Sequence, residues 1–315
     1  MSILVTGGAG FIGHHVVKLL QGSHPVLIID KFASYGELTY SQKQWLVNNR
    51  THFFDPAVLS IDIATRAVLP AINHLSPEII IHLASHPRAK TVEANLCDGT
   101  STMMTGLVHC LSAAKTSGTK RFVYVSSSMV YGDFDDGVLE SAPCSPKGYY
   151  ATLKYAGEQL VKDFCTKHNI DYIIVRPSAV YGPGDTLDRV IPTFFQRANQ
   201  GGELKVCGEN EKLDFSYVED IAYGIVQAAL ANASANKTYN LTNGNSRTIL
   251  DAAQQVKKIM GSGNIYIAEK SELHPSRGSL SIANAKKDFN FNPTTSLEEG
   301  LERYFYWFRK SIFYK

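Results

Sequence analysis

Over the first 180 positions, short unbroken apolar runs alternate with longer stretches in which apolar residues recur at helical spacing. The runs are Ile3-Leu4-Val5, Val26-Leu27-Ile28-Ile29, Ile79-Ile80-Ile81-His82-Leu83, Phe122-Val123-Tyr124-Val125 and Tyr172-Ile173-Ile174-Val175. Continuous apolar runs rich in β-branched residues, without polar alternation, predict strands covered on both faces. A helix is predicted through Val16, Val17, Leu19 and Leu20, and another around Thr102–Lys115. Strands alternating with helices predict a parallel sheet with right-handed crossovers, a doubly wound α/β domain.

The texture changes after Arg176. Pro177, Gly182-Pro183-Gly184 and Pro192 punctuate the chain, and the alternation becomes irregular. A smaller, mostly C-terminal α/β lobe facing a substrate is expected there. A helical run followed by the strand-like Thr238-Tyr239-Asn240-Leu241 predicts a return to the first domain near Tyr217–Leu241. The expected division is residues 1–176 plus about 217–243, against about 177–216 plus 244–315. Ser296–Lys310 reads as an aromatic-rich terminal helix, and no internal repeat is present.

Thr6-Gly7-Gly8-Ala9-Gly10-Phe11-Ile12-Gly13 lies between the first strand and the first helix. Glycines at this spacing permit a tight turn, close backbone approach to a pyrophosphate, and close helix–strand packing. The helix N-terminus then offers unpaired N–H groups and a positive dipole end to the phosphates. The strand–turn–helix context makes this a dinucleotide fingerprint of the Rossmann type. Asp30 ends the second strand, where a carboxylate accepts ribose hydroxyls and repels a 2′-phosphate; this favours NAD over NADP. Lys31 beside it softens that repulsion.

Composition narrows the function classes. With 44% hydrophobic and 19% charged residues among 315, the chain reads as an ordinary soluble globular protein. A formal charge of +2 is nearly balanced and argues for neither a nucleic-acid surface nor an anionic membrane patch. The five cysteines are widely spaced with no CxxC pair, which disfavours a disulfide framework or zinc site; they are expected to pack as reduced small hydrophobes. No metal ligand set is expected, and His82 reads as a strand-end packing residue. The N-terminus lacks the features of a signal peptide and no run is long enough for a membrane span, so a cytoplasmic protein is expected.

Tyr150 and Lys154 stand at i and i+4, on one face of a predicted helix. With 16 tyrosines in the chain, about one such pair arises by chance. The upstream Ser126-Ser127-Ser128 follows a strand at the carboxyl edge of the sheet, where open α/β folds bind ligands. A serine there can hold a substrate oxygen while Tyr150 takes its proton. A free tyrosine has a pKa of about 10, so working as a base near neutrality means lowering it by roughly 3, or about 4 kcal/mol. Lys154 and a positive nicotinamide ring are the expected sources of that field. Tyr149 is the neighbouring competitor; the spacing to Lys154 selects Tyr150.

Together these residues resemble the extended short-chain dehydrogenase/reductases, specifically the NAD-dependent nucleotide-sugar epimerase/dehydratase group. The resemblance runs nearly end to end. Its motifs occur in order: TGGAGFIG, Asp30, Asp62-Ile63, His82-Leu83-Ala84, Asn95, the Ser127 region, Tyr150/Lys154 with Glu158, Arg176-Pro177, Val180-Tyr181-Gly182-Pro183, Asp214 to Asp220, and Arg277. The resemblance implies that Gly7, Gly10, Phe11, Ile12, Gly13, Asp30 and Lys31 hold NAD. It implies that Asp62 and Ile63 contact the adenine, that Leu83, Ala84 and Ser85 line the cofactor, and that Pro177 to Val180 lie near the nicotinamide. Ser127, Tyr150 and Lys154 would be the catalytic group. His86, Ser127, Ser128, Ala179, Lys212 and Arg277 would line the substrate site, with Arg277 on the diphosphate of a nucleotide-activated sugar. Homodimerisation through the segments near Thr100–Ser117 and Tyr150–Lys167 is also implied.

The chain departs from the family pattern at three places. Ala179 stands where many members carry Asn, and Leu213 where many carry Arg, with Lys212 the nearest cation. Ser128 and Met129 stand where the 4,6-dehydratases carry an Asp-Glu pair, which disfavours dehydration. The resemblance therefore implies a nucleotide-sugar 4-epimerase working through a transient 4-keto sugar. A C4 dehydrogenase or 4-ketosugar reductase with net NAD(H) turnover is the nearest alternative, and a non-catalytic NAD-binding protein a more distant one.

Overall fold

The structure is a computed structural model that describes residues 1–33, 38–55, 58–86, 88–185, 189–270 and 275–314. Six strands follow in chain order: β1 (Ile3–Thr6), β2 (Val26–Asp30), β3 (Leu59–Ser60), β4 (Ile79–His82), β5 (Arg121–Val125) and β6 (Asp171–Pro177). With Lys237–Leu241 they form one parallel sheet. Its spatial order is Lys237–Leu241, β6, β5, β4, β1, β2, β3. The order reverses between β1 and β4, so a crevice opens there at the carboxyl ends of the strands.

Both faces are covered, as the unbroken apolar runs predict. Ile3 and Val5 enter one core with Val123, Val125, Ile173 and Val175, under helices α1 (Phe11–Leu20) and Val218–Leu230. Leu4 points the other way, with Ile80, Phe122, Tyr124 and Ile174, under helices Val68–Leu75, Gly106–Thr116 and Tyr149–Lys167. A separate core holds Phe194, Phe195, Leu204, Val206, Val256, Leu301, Tyr304 and Phe308, built around helices Val190–Asn199, Ile249–Met260 and Leu297–Phe308.

Several details differ from the sequence reading. A helix α2 (Tyr40–Thr51), which its sparse apolar pattern does not announce, begins with a capping box. Thr39 Oγ1 accepts from Gln42 N at 3.3 Å, and Gln42 Oε1 accepts from Thr39 N at 2.9 Å. The helix expected around Thr102–Lys115 starts earlier. It runs as Leu96–Thr100, a π-helical turn Ser101–Thr105, and Gly106–Thr116. Only Cys110 and Cys165 are buried as small hydrophobes. Cys97 is exposed, and Cys144 and Cys207 are half-buried.

A long-range staple shapes the substrate side. The loop after the 3₁₀ turn Ser128–Tyr131 runs beside residues 276–281, with bridges Phe134–Arg277 and Val138–Leu280. Asp133 accepts from Ser276 N at 2.9 Å, and Asp136 from Ser279 N at 2.8 Å. Arg277 is thereby placed against the segment that follows Ser127. Among the described residues, no helix is long and apolar enough to cross a membrane.

Candidate active site

A cavity of about 500 Å³ runs along the carboxyl edge of the sheet, from Asp30 to Arg277. Its floor is the glycine turn between β1 and α1. Gly7 adopts φ +74°, and a Cβ there would lie 2.7 Å from Ala84 N, so the turn closes only without a side chain. A Cβ on Gly13 would collide with the Gly7 carbonyl. The N-terminus of α1 has no side-chain cap on Gly10 and no acidic residue in its first turn. Its outward N–H groups and positive dipole end suit an anion.

Asp30 closes the β2 end of this cradle. Its Oδ2 accepts from Ala9 N at 3.0 Å and its Oδ1 from Phe32 N at 2.7 Å. Each carboxylate oxygen has a second lone pair, so both can still accept ribose hydroxyls. Burial pushes this carboxyl up from its ordinary range, against the two backbone N–H groups that pull it down. Lys31 turns to Asp62, with Nζ 3.2 Å from Oδ2. Ile63 lines the cavity beside this pair. His109 donates to the Ile63 carbonyl at 3.0 Å and holds that turn in place. Leu83, Ala84, Ser85, Pro177 and Val180 line the same cavity.

At the other end Ser127, Tyr150 and Lys154 converge. Tyr150 lies in the first turn of the long helix Tyr149–Lys167, within hydrogen-bonding reach of Ser127. Lys154 is buried, and Nζ donates to the Val125 carbonyl at 2.8 Å. Nζ stands 6.0 Å from the Tyr150 ring centroid. Burial lowers the Lys154 ammonium to about 7, with Glu158 opposing. In the protein alone the field that lowers Tyr150 does not outweigh its burial. Burial raises the phenol above its ordinary value, and the Arg189 charge and the Ser127 hydroxyl offset this only in part.

Ser128, Ala179, His86 and Arg277 also line the cavity. His86 donates Nε2–H to Asp98 Oδ2 at 2.7 Å. Arg277 is half-buried, its buried Nε has no hydrogen-bond partner among the described residues, and burial lowers it to about 10. Such a cation fits a phosphate. Lys212 is the cation nearest the position of the family arginine. It lies outside the cavity wall, with Nζ 3.1 Å from Asp136 Oδ2. His82 is a neutral packing residue: its Nδ1 meets Thr6 Oγ1 at 2.9 Å, and burial lowers it to about 3.

The structure adds residues that sequence patterns did not single out. Thr102, on the π-helical turn, is buried against the cavity, and its Oγ1 has no partner among the described residues. Arg50, Arg88, Asp185 and Arg189 also line it. The capping box at Thr39 was the available signal for the helix that carries Arg50. No local signal marks Arg189.

The cradle, the ribose acceptor and the Ser–Tyr–Lys convergence are those of a dinucleotide-dependent enzyme. The chain matches the NAD dependent epimerase/dehydratase family model over residues 3–242 and belongs to that family. Its cofactor is NAD. It is 28% identical to an uncharacterized UDP-glucose epimerase of Bacillus subtilis, across 96% of each chain. It is 29% identical to a dTDP-glucose 4,6-dehydratase of Streptomyces niveus, across 98% of this chain and 93% of that one. Among solved structures, the UDP-glucose 4-epimerase of Thermotoga maritima with UDP-glucose superposes with a TM-score of 0.88 at 26% identity. It covers 98% of this chain and 99% of its own. The family and these relatives are enzymes of nucleotide-sugar epimerisation or dehydration.

Proposed function

We propose that this protein is a nucleotide-sugar 4-epimerase. The observation that carries the reading is the wall beside Ser127. There Ser128 and Met129 line the cavity on a 3₁₀ turn, and neither is a competent acid or base for removing water from the sugar. What is left at that end of the cavity is the machinery for moving a hydroxyl proton. NAD, when bound, supplies the hydride acceptor and donor. Tyr150 takes the proton from the sugar hydroxyl and later returns it. Ser127 holds the oxygen in both directions. Lys154 binds the nicotinamide ribose and, when charged, favours the phenolate of Tyr150. Arg277 binds the sugar nucleotide's diphosphate. The same reading includes a homodimer through the helices Gly106–Thr116 and Tyr149–Lys167, on which Val108 and Tyr149 stand exposed.

Product analysis by NMR tests this. The protein is incubated with catalytic NAD and a panel of UDP-, GDP-, dTDP- and CDP-hexoses while absorbance is followed in the NADH band. A C4 epimer without NADH accumulation is the expected result. A keto sugar with stoichiometric NADH would make the protein a C4 dehydrogenase, or a ketoreductase run backwards. A 4-keto-6-deoxy product would make it a dehydratase.

A further inference from the structure

The loop Gly182–Asp185 is pinned to the cofactor side of the molecule. His15 donates Nε2–H to the Pro183 carbonyl at 3.0 Å. Arg50 on α2 donates Nε and Nη2 to the Gly184 carbonyl at 3.1 and 2.5 Å. Gly184 has φ +85°, and a Cβ there would lie 2.6 Å from the His14 ring, so the loop packs flat on α1. Asp185 is buried and lies 3.8 Å from Arg189 Nε. Arg189 caps the helix Val190–Asn199, which belongs to the other core. Its guanidinium lies 5.4 Å from the centroid of the Phe11 ring, and Nη1 donates to the Val180 carbonyl at 3.1 Å.

We propose that Arg189 is a cofactor-binding residue contributed from the substrate side of the chain, whose guanidinium binds the pyrophosphate of NAD beside the α1 N-terminus. Phe11 belongs to the cradle formed by the glycine turn and the first turn of α1. A cation over its ring therefore stands at the place that receives the phosphates. The helix end contributes only about half a positive charge, against a pyrophosphate carrying about two negative charges. A guanidinium forks onto phosphate oxygens in a way that an ammonium does not.

Several other cations nearby already hold protein groups. Arg50 holds the Gly184 carbonyl, Lys31 pairs with Asp62, and Lys154 holds the Val125 carbonyl. Arg277 sits on the segment stapled behind Ser127. The bonds from His15 and Arg50 fix the loop that carries Asp185, and Asp185 orients Arg189. Cofactor binding thus draws on both cores. This holds for any NAD-dependent reaction at Tyr150, so it stands independently of the epimerase reading.

The test measures binding by calorimetry on purified, cofactor-stripped full-length protein, for Arg189→Gln and Arg189→Lys beside the parent. The probes are NAD, ADP-ribose, adenosine and UDP. Loss of a charge-assisted bond predicts that R189Q weakens NAD and ADP-ribose about 10- to 100-fold. R189K should fall between R189Q and the parent. Adenosine, which lacks the pyrophosphate, and UDP should bind within about twofold of the parent. Unchanged NAD and ADP-ribose affinity would overturn the proposal. So would a loss confined to UDP, which would place Arg189 on the substrate, or an equal loss for adenosine, which would make its role structural.

Discussion

Glu158 and Arg176 form a buried, two-pronged ion pair behind Ser127, Tyr150 and Lys154. Oε1 accepts from Arg176 Nε at 2.9 Å and Oε2 from Nη2 at 2.6 Å. Oε1 also accepts the Ser126 hydroxyl at 2.6 Å. Arg176 Nη1 donates to Tyr131 Oη at 2.8 Å, and Tyr131 donates onward to Asn240 at 2.8 Å. One network therefore ties the residue before Ser127, the helix of Tyr150 and Lys154, and the far edge of the sheet.

Removing one charge from this pair strands the other. Glu158→Gln is expected to cost about 3–5 kcal/mol in urea unfolding, whereas the double change Glu158→Leu with Arg176→Met should recover most of that loss. Glu158 also partly offsets the burial of Lys154, so E158Q should lower the pH at which Lys154 loses its proton. A cost below about 1 kcal/mol would mean that the pair is solvated.

Tyr150→Phe removes the proton acceptor and leaves the cavity wall intact. Turnover is expected to drop about 10²- to 10⁴-fold, with NAD affinity within about twofold of the parent. Ultraviolet difference titration reads the phenol itself. Without cofactor Tyr150 should ionise above the ordinary tyrosine value, and saturating NAD⁺ should bring it down. If NAD⁺ leaves that titration unmoved, the nicotinamide charge does not activate the phenol.

Ala179 lines the cavity in a left-handed conformation, φ 37°, where a Cβ is strained. Asparagine tolerates this region better. Ala179→Asn is expected to stabilise the protein by about 0.5–1 kcal/mol in urea unfolding. Under the proposed function it should also tighten UDP-sugar binding by supplying an amide donor. Destabilisation would show that the wall has no room for the larger side chain.

Three buried histidines set the acid response. Burial holds His15 at about 4 and His82 at about 3, and His14 well below the ordinary histidine value. An unfolded histidine takes up its proton near pH 6.5. Stability from these groups is therefore complete above that pH and is lost as pH falls below it, by about 2 kcal/mol each for His15 and His82 at pH 5. Asp214 works in the opposite sense. Burial raises it to about 6 even though it accepts from Gly244 N and Leu280 N. Its contribution is complete below about pH 4 and is lost as pH rises through 6. Three imidazoles outweigh one carboxyl, so the protein should unfold more readily in urea at pH 5 than at pH 7.5, and Asp214→Asn should steepen the fall. Equal stability at the two pH values would sink this account.

The features legible in the chain alone are local. The strands β1, β2, β4, β5 and β6 follow from unbroken apolar runs, because a strand covered on both faces has no polar side to show. The cradle follows from glycines whose conformations only glycine adopts freely, and the shared face of Tyr150 and Lys154 from the pitch of a helix. Tertiary structure decided what depends on partners far along the chain. Asp62 pairs with Lys31, 31 residues away. Lys212 is spent on Asp136, 76 residues away. Arg50 and Arg189 reach the cofactor cradle only because α2 and the Gly182–Asp185 loop fold over α1. The charge state of Tyr150 likewise depends on how deeply it is buried. A charged side chain reads alike in any stretch of sequence, and only its burial and its distant partners decide which charge faces the ligand.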